Sequence, residues 1–181
     1  MTGPGGGPPA AAADAAEQVV AGLTARRQLV AVAESLTGGL LAAALASVPG
    51  ASVVLRGGIV AYATDLKASL LGVDQAVLDA CGAVSAEAAL AMAEGVRARL
   101  GATFGVSTTG VAGPDPAEGK PVGTVYIAAT RGDTGLDARH TGQRDHIIRR
   151  LDLAGSRNDI RSQTVTDALA LLLVMMREET R

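Results

Sequence analysis

The sequence predicts an α/β protein, a three-layer α/β/α domain with a mixed, mostly parallel sheet. Short apolar segments that are typical of buried strands alternate with segments of helical periodicity along the 181-residue chain, and this alternation is typical of layered α/β domains. Glycine and proline separate the segments. With one Phe, two Tyr and no Trp, the core must be built from aliphatic side chains.

The first third of the chain predicts a helix, a strand, a second helix and a second strand. Val19, Val20 and Leu23 recur at helical spacing, and a basic pair follows them. Val48-Pro49-Gly50 ends the second helix. Gly57-Gly58 inside the second strand indicates a bulge or a close backbone approach. The predicted bounds are 14–27 for the first helix, 28–34 for the first strand, 37–47 for the second helix and 53–62 for the second strand.

The sequence after residue 62 predicts three more helices, further strands and a final helix. Ser85 is placed to cap the longest of the middle helices. The charged stretch between Arg131 and Arg150 lacks periodicity and is interpreted as an extended hairpin or a surface loop. Four apolar side chains of the final helix are expected to pack either in the core or partly against a second copy of the chain. They are Leu171, Leu172, Leu173 and Met175. The predicted bounds are 64–71, 74–81 and 85–100 for helices, 103–109 and 122–130 for strands, 151–153 for the end of another strand and 158–176 for the final helix.

The composition of the chain limits which classes of partner it can bind and in which compartment it is expected. The net charge of −2 gives no general attraction to nucleic acid or acidic lipid, so we expect neither nucleic acid nor membrane as a partner. The longest apolar run, 168–176, is shorter than the ~20 residues of a membrane span. Cys81 has no second cysteine to pair with, and no secretory leader is apparent, so we expect a cytoplasmic protein. We expect residues 1–13, rich in Gly, Pro and Ala, to be a disordered tail and 14–181 to be one domain.

The most informative motif is a serine at the end of the first strand. Ser35 is followed by Thr37-Gly38-Gly39 and then by strong helix formers, so its hydroxyl is expected on a tight strand-to-helix turn. Such a turn exposes a side chain at the rim of a sheet and directs backbone N–H groups towards a ligand. A nucleophile, an anion site and a simple helix cap all remain open for this motif.

A lysine is the candidate base for that serine. Lys67 and Lys120 are the only lysines among the 16 basic side chains. A lysine accepts a proton from a serine only when neutral, which requires burial to lower its pKa from about 10.4, whereas arginine cannot deprotonate in this range. A solvated surface lysine is the competing interpretation of Lys67.

Two more segments point to the same rim. Thr109, Gly110 and Gly113 belong to a Gly/Pro-rich loop after another predicted strand, and the competing interpretation is an ordinary surface turn. The basic stretch between Arg139 and Arg161 lacks stacking aromatics, so a solvated face is favoured over a nucleic-acid site. Arg157, at a strand-to-helix turn, is placed to contact a phosphate. We expect no metal site, because no carboxylate pair has ligand spacing with His140 and His146.

Taken in order, these motifs resemble the CinA C-terminal domain family, which includes the PncC-type nicotinamide-nucleotide amidohydrolases. The resemblance extends from about residue 14 to about 176, which is typical of the stand-alone form of the domain. It rests on the segments Ala33-Glu34-Ser35-Leu36-Thr37-Gly38-Gly39, Gly57-Gly58-Ile59-Val60-Ala61-Tyr62 with Lys67, Gly82-Ala83-Val84-Ser85, Thr109-Gly110-Val111-Ala112-Gly113-Pro114 and Lys120-Pro121-Val122-Gly123-Thr124-Val125-Tyr126.

The resemblance implies deamidation of nicotinamide mononucleotide to nicotinate mononucleotide and ammonia in pyridine-nucleotide salvage. It implies Ser35 as nucleophile, Lys67 as base, Thr109 as a hydrogen-bonding support of the dyad and Tyr62 beside it. Substrate-binding roles are implied for Thr37, Gly38, Gly39, Gly110, Gly113 and Arg157. The family uses no metal or organic cofactor in this reaction, and it favours a homodimer or a higher homo-oligomer.

Two alternatives accompany that assignment. One is a catalytically weak or inactive nucleotide-binding partner protein of the kind associated with competence, and the other is a hydrolase of a related amide or nucleotide. Two positions depart from the family pattern: Thr64 stands where Asn is frequent, and Ser156 stands where Asp is frequent in a Gly-Asp-Arg triplet. The segment from about 133 to 149 is also longer than is usual in the family.

Overall fold

In the computed structural model, which describes residues 10–132 and 146–178, five strands form one sheet in the order β2-β1-β3-β4-β5. β1 pairs in parallel with β2 and with β3, whereas β3–β4 and β4–β5 are antiparallel. The α/β class and the mixed sheet are therefore confirmed, with the parallel pairings confined to β2, β1 and β3. The strands are β1 (Val30–Glu34), β2 (Leu55–Val60), β3 (Phe104–Gly110), β4 (Thr124–Arg131) and β5 (His146–Asp152).

Helices cover both faces of this sheet. One face carries α1, α2 and α6, and the other carries α3, α4 and α5, which gives the three predicted layers. The helices are α1 (Ala10–Arg26), α2 (Leu40–Ala46), α3 (Thr64–Leu71), α4 (Gln75–Cys81), α5 (Ala86–Leu100) and α6 (Arg157–Glu178), and a short 3-10 helix covers Ala51–Val53.

Small residues let helix α5 lie directly on the sheet. A Cβ atom at Gly105 of β3 would lie 2.0 Å from the Ala93 carbonyl oxygen of α5, and a Cβ at Gly95 would lie 1.9 Å from the Leu71 carbonyl oxygen of α3. No side chain larger than hydrogen fits at either position. Close backbone packing thus compensates for the scarcity of aromatic side chains and fixes the position of α3, which carries Lys67.

Most predicted elements are confirmed, and the differences have physical causes. Helix α1 begins at Ala10 rather than at residue 14, because Ala12 is fully buried against the core and extends the apolar face. The rest of the predicted disordered tail, residues 1–9, lies outside the described residues. Val30 pairs with Leu55 and Ala31 with Gly57, so Arg56 is an extra residue in β2, and the irregularity lies just before the two glycines where a bulge or a close backbone approach was predicted.

Strand β5 and the final helix α6 also differ in part from the prediction. Strand β5 occupies His146–Asp152, whereas the sequence indicated only its end, and 133–145 lies outside the described residues. Leu171, Leu172 and Met175 are buried within the chain itself, so core packing rather than contact with a second copy explains these three side chains. Within the residues described, none of the helices combines the length and the apolar character that crossing a membrane requires.

Candidate active site

Ser35 follows strand β1 at the rim where the parallel strands end. Its N–H donates to the Thr108 carbonyl of β3 at 2.9 Å, and its carbonyl accepts from the Gly38 N–H at 3.1 Å. Gly38 and Gly39 have φ angles of 58° and 100°, which only glycine adopts readily. The two glycines therefore allow the sharp turn that leaves the Ser35 hydroxyl half-buried at the sheet edge.

Lys67 lies on helix α3 with its amine against that hydroxyl. Lys67 Nζ is 3.1 Å from Ser35 Oγ and donates to the carbonyl of Ala61 at 2.9 Å and of Tyr62 at 3.4 Å. The side chain exposes 1 % of its surface. The interpretation of Lys67 as a solvated surface lysine is therefore wrong.

Burial lowers the pKa of the Lys67 ammonium from its ordinary value near 10.5, while the negative charges of Glu118 and Asp65 act in the opposite direction. Desolvation is the largest of these effects because water can no longer solvate the charged form. A neutral amine has two N–H bonds, and the carbonyls of Ala61 and Tyr62 are placed to accept both. In that neutral form the lone pair would face Ser35 Oγ, which is the arrangement that a general base requires.

A cavity of about 230 Å³ opens beside the Ser35–Lys67 pair. Its walls come from the turn after β1, the start of α3, the residues before α5, the loop between β3 and β4, and the start of α6. The polar residues that line it are Ser35, Tyr62, Thr64, Lys67, Thr109, Asp115, Glu118 and Arg157, and the backbone of Gly110 and Gly113 completes the wall.

Thr109 lines this cavity but is not hydrogen-bonded to the pair. Its hydroxyl donates to the Ala83 carbonyl at 2.7 Å, and within the described residues no hydrogen bond joins it to Ser35 or Lys67. The support predicted for Thr109 is thus indirect, because its hydroxyl fixes the segment before α5 that forms one wall.

Arg157 bridges two walls at the cavity mouth. Its guanidinium donates to the Tyr62 hydroxyl at 2.6 Å and to the Gly113 carbonyl at 2.7 Å. Both side chains are exposed, so a phosphate at the mouth would meet the guanidinium. The sequence predicted Arg157 and Tyr62 at the site but gave no indication that they contact each other.

Ser156 begins helix α6 in place of the aspartate that is frequent in the family pattern. Its N–H and its hydroxyl donate to Asp159 Oδ2 at 2.9 and 2.6 Å, and the Asp159 N–H donates to Ser156 Oγ at 3.3 Å. These hydrogen bonds from Ser156 lower the pKa of the Asp159 carboxyl. This reciprocal pattern is a capping box, and it fixes the helix start so that Arg157 points to the cavity.

The predicted anion site at the start of α2 needs correction. Glu34, fully buried at the end of β1, accepts hydrogen bonds from the N–H groups of Gly39, Leu41 and Ala42 at 2.8 to 3.0 Å. Thr37, Gly38 and Gly39 do not line the cavity, and the Thr37 hydroxyl pairs with that of Thr108 at 2.7 Å. A carboxylate of the chain itself therefore occupies the helix start that was expected to bind substrate.

Sequence reasoning missed three further residues that shape the site. Glu34 gave no signal because a glutamate at a strand end is normally solvated. Arg161 donates to the carbonyls of Leu36 and Thr37, both at 2.9 Å, and its helical spacing of four residues from Arg157 was the available hint. Glu118, within the Gly/Pro-rich loop, faces the cavity.

Comparison with known proteins gives a consistent result. The family model for the CinA C-terminal domain matches residues 12–176. The chain is 52% identical over 173 residues to a CinA-like protein of Frankia casuarinae, covering 95% of this chain and 37% of that protein. It is 46% identical over 157 residues to a CinA-like protein of Mycolicibacterium paratuberculosis, covering 86% and 35%. The chain thus spans little more than a third of the length of these curated relatives.

A solved structure matches over nearly its whole length. The competence/damage inducible protein CihA from Agrobacterium tumefaciens superposes with a TM-score of 0.82 at 35% sequence identity, covering 93% of this chain and 97% of that one. The three-layer fold described above is therefore one that crystal structures of similar proteins also have.

Proposed function

This chain belongs to the CinA C-terminal domain family, and on that premise we propose that it is an amidohydrolase that converts nicotinamide mononucleotide to nicotinate mononucleotide and ammonia. The observation that carries the proposal is the buried Lys67 amine 3.1 Å from the Ser35 hydroxyl. A serine paired with a neutral lysine is one of the known forms of activated nucleophile.

The first half of the reaction uses the Ser35–Lys67 pair. Ser35 Oγ attacks the carbonyl carbon of the amide, and Lys67 Nζ takes the hydroxyl proton. The tetrahedral intermediate collapses with cleavage of the C–N bond, and the lysine returns the proton to the leaving nitrogen, which departs as ammonia. The product of this half is an ester of Ser35.

The second half repeats the chemistry with water. Lys67 accepts a proton from a water molecule, the resulting hydroxide attacks the ester carbonyl, and the proton returns to Ser35 Oγ as the acid leaves. Both halves need a donor for the negatively charged oxygen of the intermediate.

The peptide after the nucleophile is the candidate oxyanion donor. The Leu36 N–H has no hydrogen-bond partner among the residues described, and Leu36 lines the cavity. Arg161 holds the carbonyls of Leu36 and Thr37 and thereby fixes the orientation of the turn. A fixed donor stabilises the intermediate because it needs no reorganisation during the reaction.

The nucleotide would bind with its amide at Ser35 and its phosphate at the cavity mouth. Arg157 is the cation at that mouth, and a guanidinium suits the geometry of phosphate. The N–H groups at the start of α2 are unsuitable for the phosphate because Glu34 already accepts from three of them.

Location and assembly complete the proposal. A single cysteine suits a reducing cytoplasm, and exposed apolar side chains such as Val53, Val60 and Leu70 suit burial in a homodimer or a higher homo-oligomer. Light scattering that gives the mass of a single chain at micromolar concentration would contradict the assembly part.

An ammonia-release assay on nicotinamide mononucleotide tests the activity. We expect the purified protein to release ammonia without added metal, and we expect Ser35→Ala to lose activity by about a thousandfold or more while it still binds the nucleotide. If the wild type binds the nucleotide and releases no ammonia, the chain is the inactive nucleotide-binding partner protein instead. A panel of related amides separates this substrate from others.

A further inference from the structure

Glu118 occupies an unusual backbone position in the cavity wall. The Ala117 N–H donates to the Lys120 carbonyl at 3.2 Å and the Lys120 N–H to the Ala117 carbonyl at 2.9 Å, so Glu118 and Gly119 form a two-residue turn. Their φ angles are 51° and 69°, which fit a turn that favours Asn, Asp or Gly at its first central position. Glutamate is unfavourable there, and such positions concentrate at functional sites.

The carboxylate of this exposed residue is fixed at the rim of the cavity. Glu118 Oε2 accepts the Val84 N–H at 3.0 Å. A Cβ atom at Gly82 would lie 2.5 Å from the same oxygen, so the absence of a side chain at Gly82 gives the carboxylate its room. Glu118 therefore has a defined place in the wall of the cavity that Ser35 and Lys67 also line.

The charge of Glu118 acts against the neutral form of Lys67. The negative charge of Glu118 raises the pKa of Lys67 against the larger effect of burial, and Asp65 does the same more weakly. The ionised form of Lys67 cannot accept the Ser35 proton. Because the Val84 N–H fixes this carboxylate in the wall of the cavity, Glu118 is placed to attract a positive charge on a bound substrate.

We propose that Glu118 is the specificity-determining residue that recognises the positively charged pyridinium ring of the substrate. The inference rests on the proposed function, and it restricts the substrate class to amides on cationic heteroaromatic rings. A positively charged ring and this carboxylate attract each other at the rim of the cavity. The bound ring also offsets the negative charge beside Lys67, so the neutral form of the base is favoured when the substrate is in place.

The test compares Glu118→Gln with the wild type on two nucleotides. Nicotinamide mononucleotide carries a positive ring, whereas its reduced 1,4-dihydro form carries the same amide on a neutral ring. We expect the ratio of kcat/KM for the charged over the neutral substrate to fall about tenfold in Glu118→Gln. Differences in intrinsic reactivity cancel because the ratio is compared between variants. Gln keeps an oxygen that can accept the Val84 N–H.

A matched control is Asp115→Asn, which removes a second carboxylate from the same loop and the same cavity wall. Asp115 has no hydrogen bond that fixes its carboxylate within the described residues, so we expect a smaller fall in the ratio. A fall of equal size in both variants would mean that only the overall charge of the loop matters, and it would overturn the role of Glu118.

The pH profile gives a readout that a merely structural role would not move. The charged or titratable groups around Lys67 are Asp65 on its own helix, Tyr62 before α3, Asp115 and Glu118 on the loop, and Arg157 at the mouth. Two more lie behind them: Glu34 at the end of β1, whose carboxylate accepts from α2, and Lys120, whose amine lies near Gly82 as the Glu118 carboxylate does. Since Glu118 raises the pKa of Lys67, we expect the alkaline-directed rise of kcat/KM to move to lower pH in Glu118→Gln. An unmoved profile would contradict the inference.

Binding separates this inference from the proposed activity. In the Ser35→Ala background, the dissociation constant for the charged nucleotide should rise about tenfold on Glu118→Gln, with the neutral one changed less than twofold. Equal changes for both nucleotides overturn the inference even if the wild type releases ammonia. Absence of ammonia release with a charge-selective effect on binding overturns the activity and leaves Glu118 as the recognition residue.

Discussion

Ser35 and Thr109 lie at the ends of neighbouring parallel strands and line the same cavity, but their hydroxyl groups have different neighbours. Ser35 Oγ lies 3.1 Å from the Lys67 amine. Thr109 Oγ1 donates to the Ala83 carbonyl at 2.7 Å and is almost fully buried. A place at the rim of the sheet is therefore not enough to make a hydroxyl a nucleophile. On the proposed mechanism, access to the cavity and a neighbouring base would make it one.

The largest effect on activity is expected when Lys67 is replaced by arginine, which keeps a positive charge at the end of a long side chain but cannot deprotonate. Lys67→Arg should lower kcat for ammonia release about a thousandfold, because a guanidinium stays protonated in this pH range. The measurement is steady-state ammonia release together with circular dichroism to check the fold. Activity within tenfold of the wild type would place the base elsewhere and remove the difference between the two hydroxyls.

A smaller effect is expected from removing the other hydroxyl. Thr109→Val should reduce the free energy of unfolding by about 1–3 kcal/mol, because the Ala83 carbonyl loses its donor in a buried setting, and should lower kcat/KM less than about tenfold. Thr109→Ser, which keeps the hydroxyl, is the control. A loss comparable to that of Ser35→Ala would show that Thr109 takes part in the chemistry.

The smallest effect concerns stability as a function of pH. The pKa of Lys67 is lowered in the folded protein, so between that value and about 10.5 the unfolded chain binds more protons than the folded one. Stability then rises with pH in this window. Relative to Lys67→Met, which cannot titrate, the wild type should gain stability as the pH is raised from 7 to 10.

Urea unfolding of both proteins at several pH values measures this difference. A gap that stays constant with pH would mean that Lys67 has its ordinary affinity for protons in the folded protein. The amine would then be charged near neutrality, and the contrast between Ser35 and Thr109 would lose its chemical basis.

Local signals explain what the sequence could predict. Helix α3 has the predicted bounds because Gly72, with a φ of 72°, ends it, and the Ser85 hydroxyl caps α5 by accepting the Ala88 N–H. Lys67 stood out because lysine is rare in this chain. Each of these signals is contained in a few neighbouring residues.

Long-range geometry explains what it could not. The partner of Thr109 is a carbonyl 26 residues away, and no local pattern indicates it. Glu34 turns back onto the N–H groups of α2 only because the glycine turn brings them there. Strand β5 was missed over most of its length because it is an edge strand with exposed Arg149 and Arg150, and charged edge strands lack the apolar alternation of inner ones.

The carboxylate of Glu34 at the start of α2 has a consequence for inhibitor design. It acts as a built-in anion, so a sulfonate or phosphonate aimed at that helix start would find its donors occupied. If Ser35 and Arg157 have the proposed roles, a compound should place its anionic group beside Arg157 and a boronic acid at Ser35. The position of Glu34 therefore determines that the negative charge of an inhibitor belongs at the end that faces Arg157.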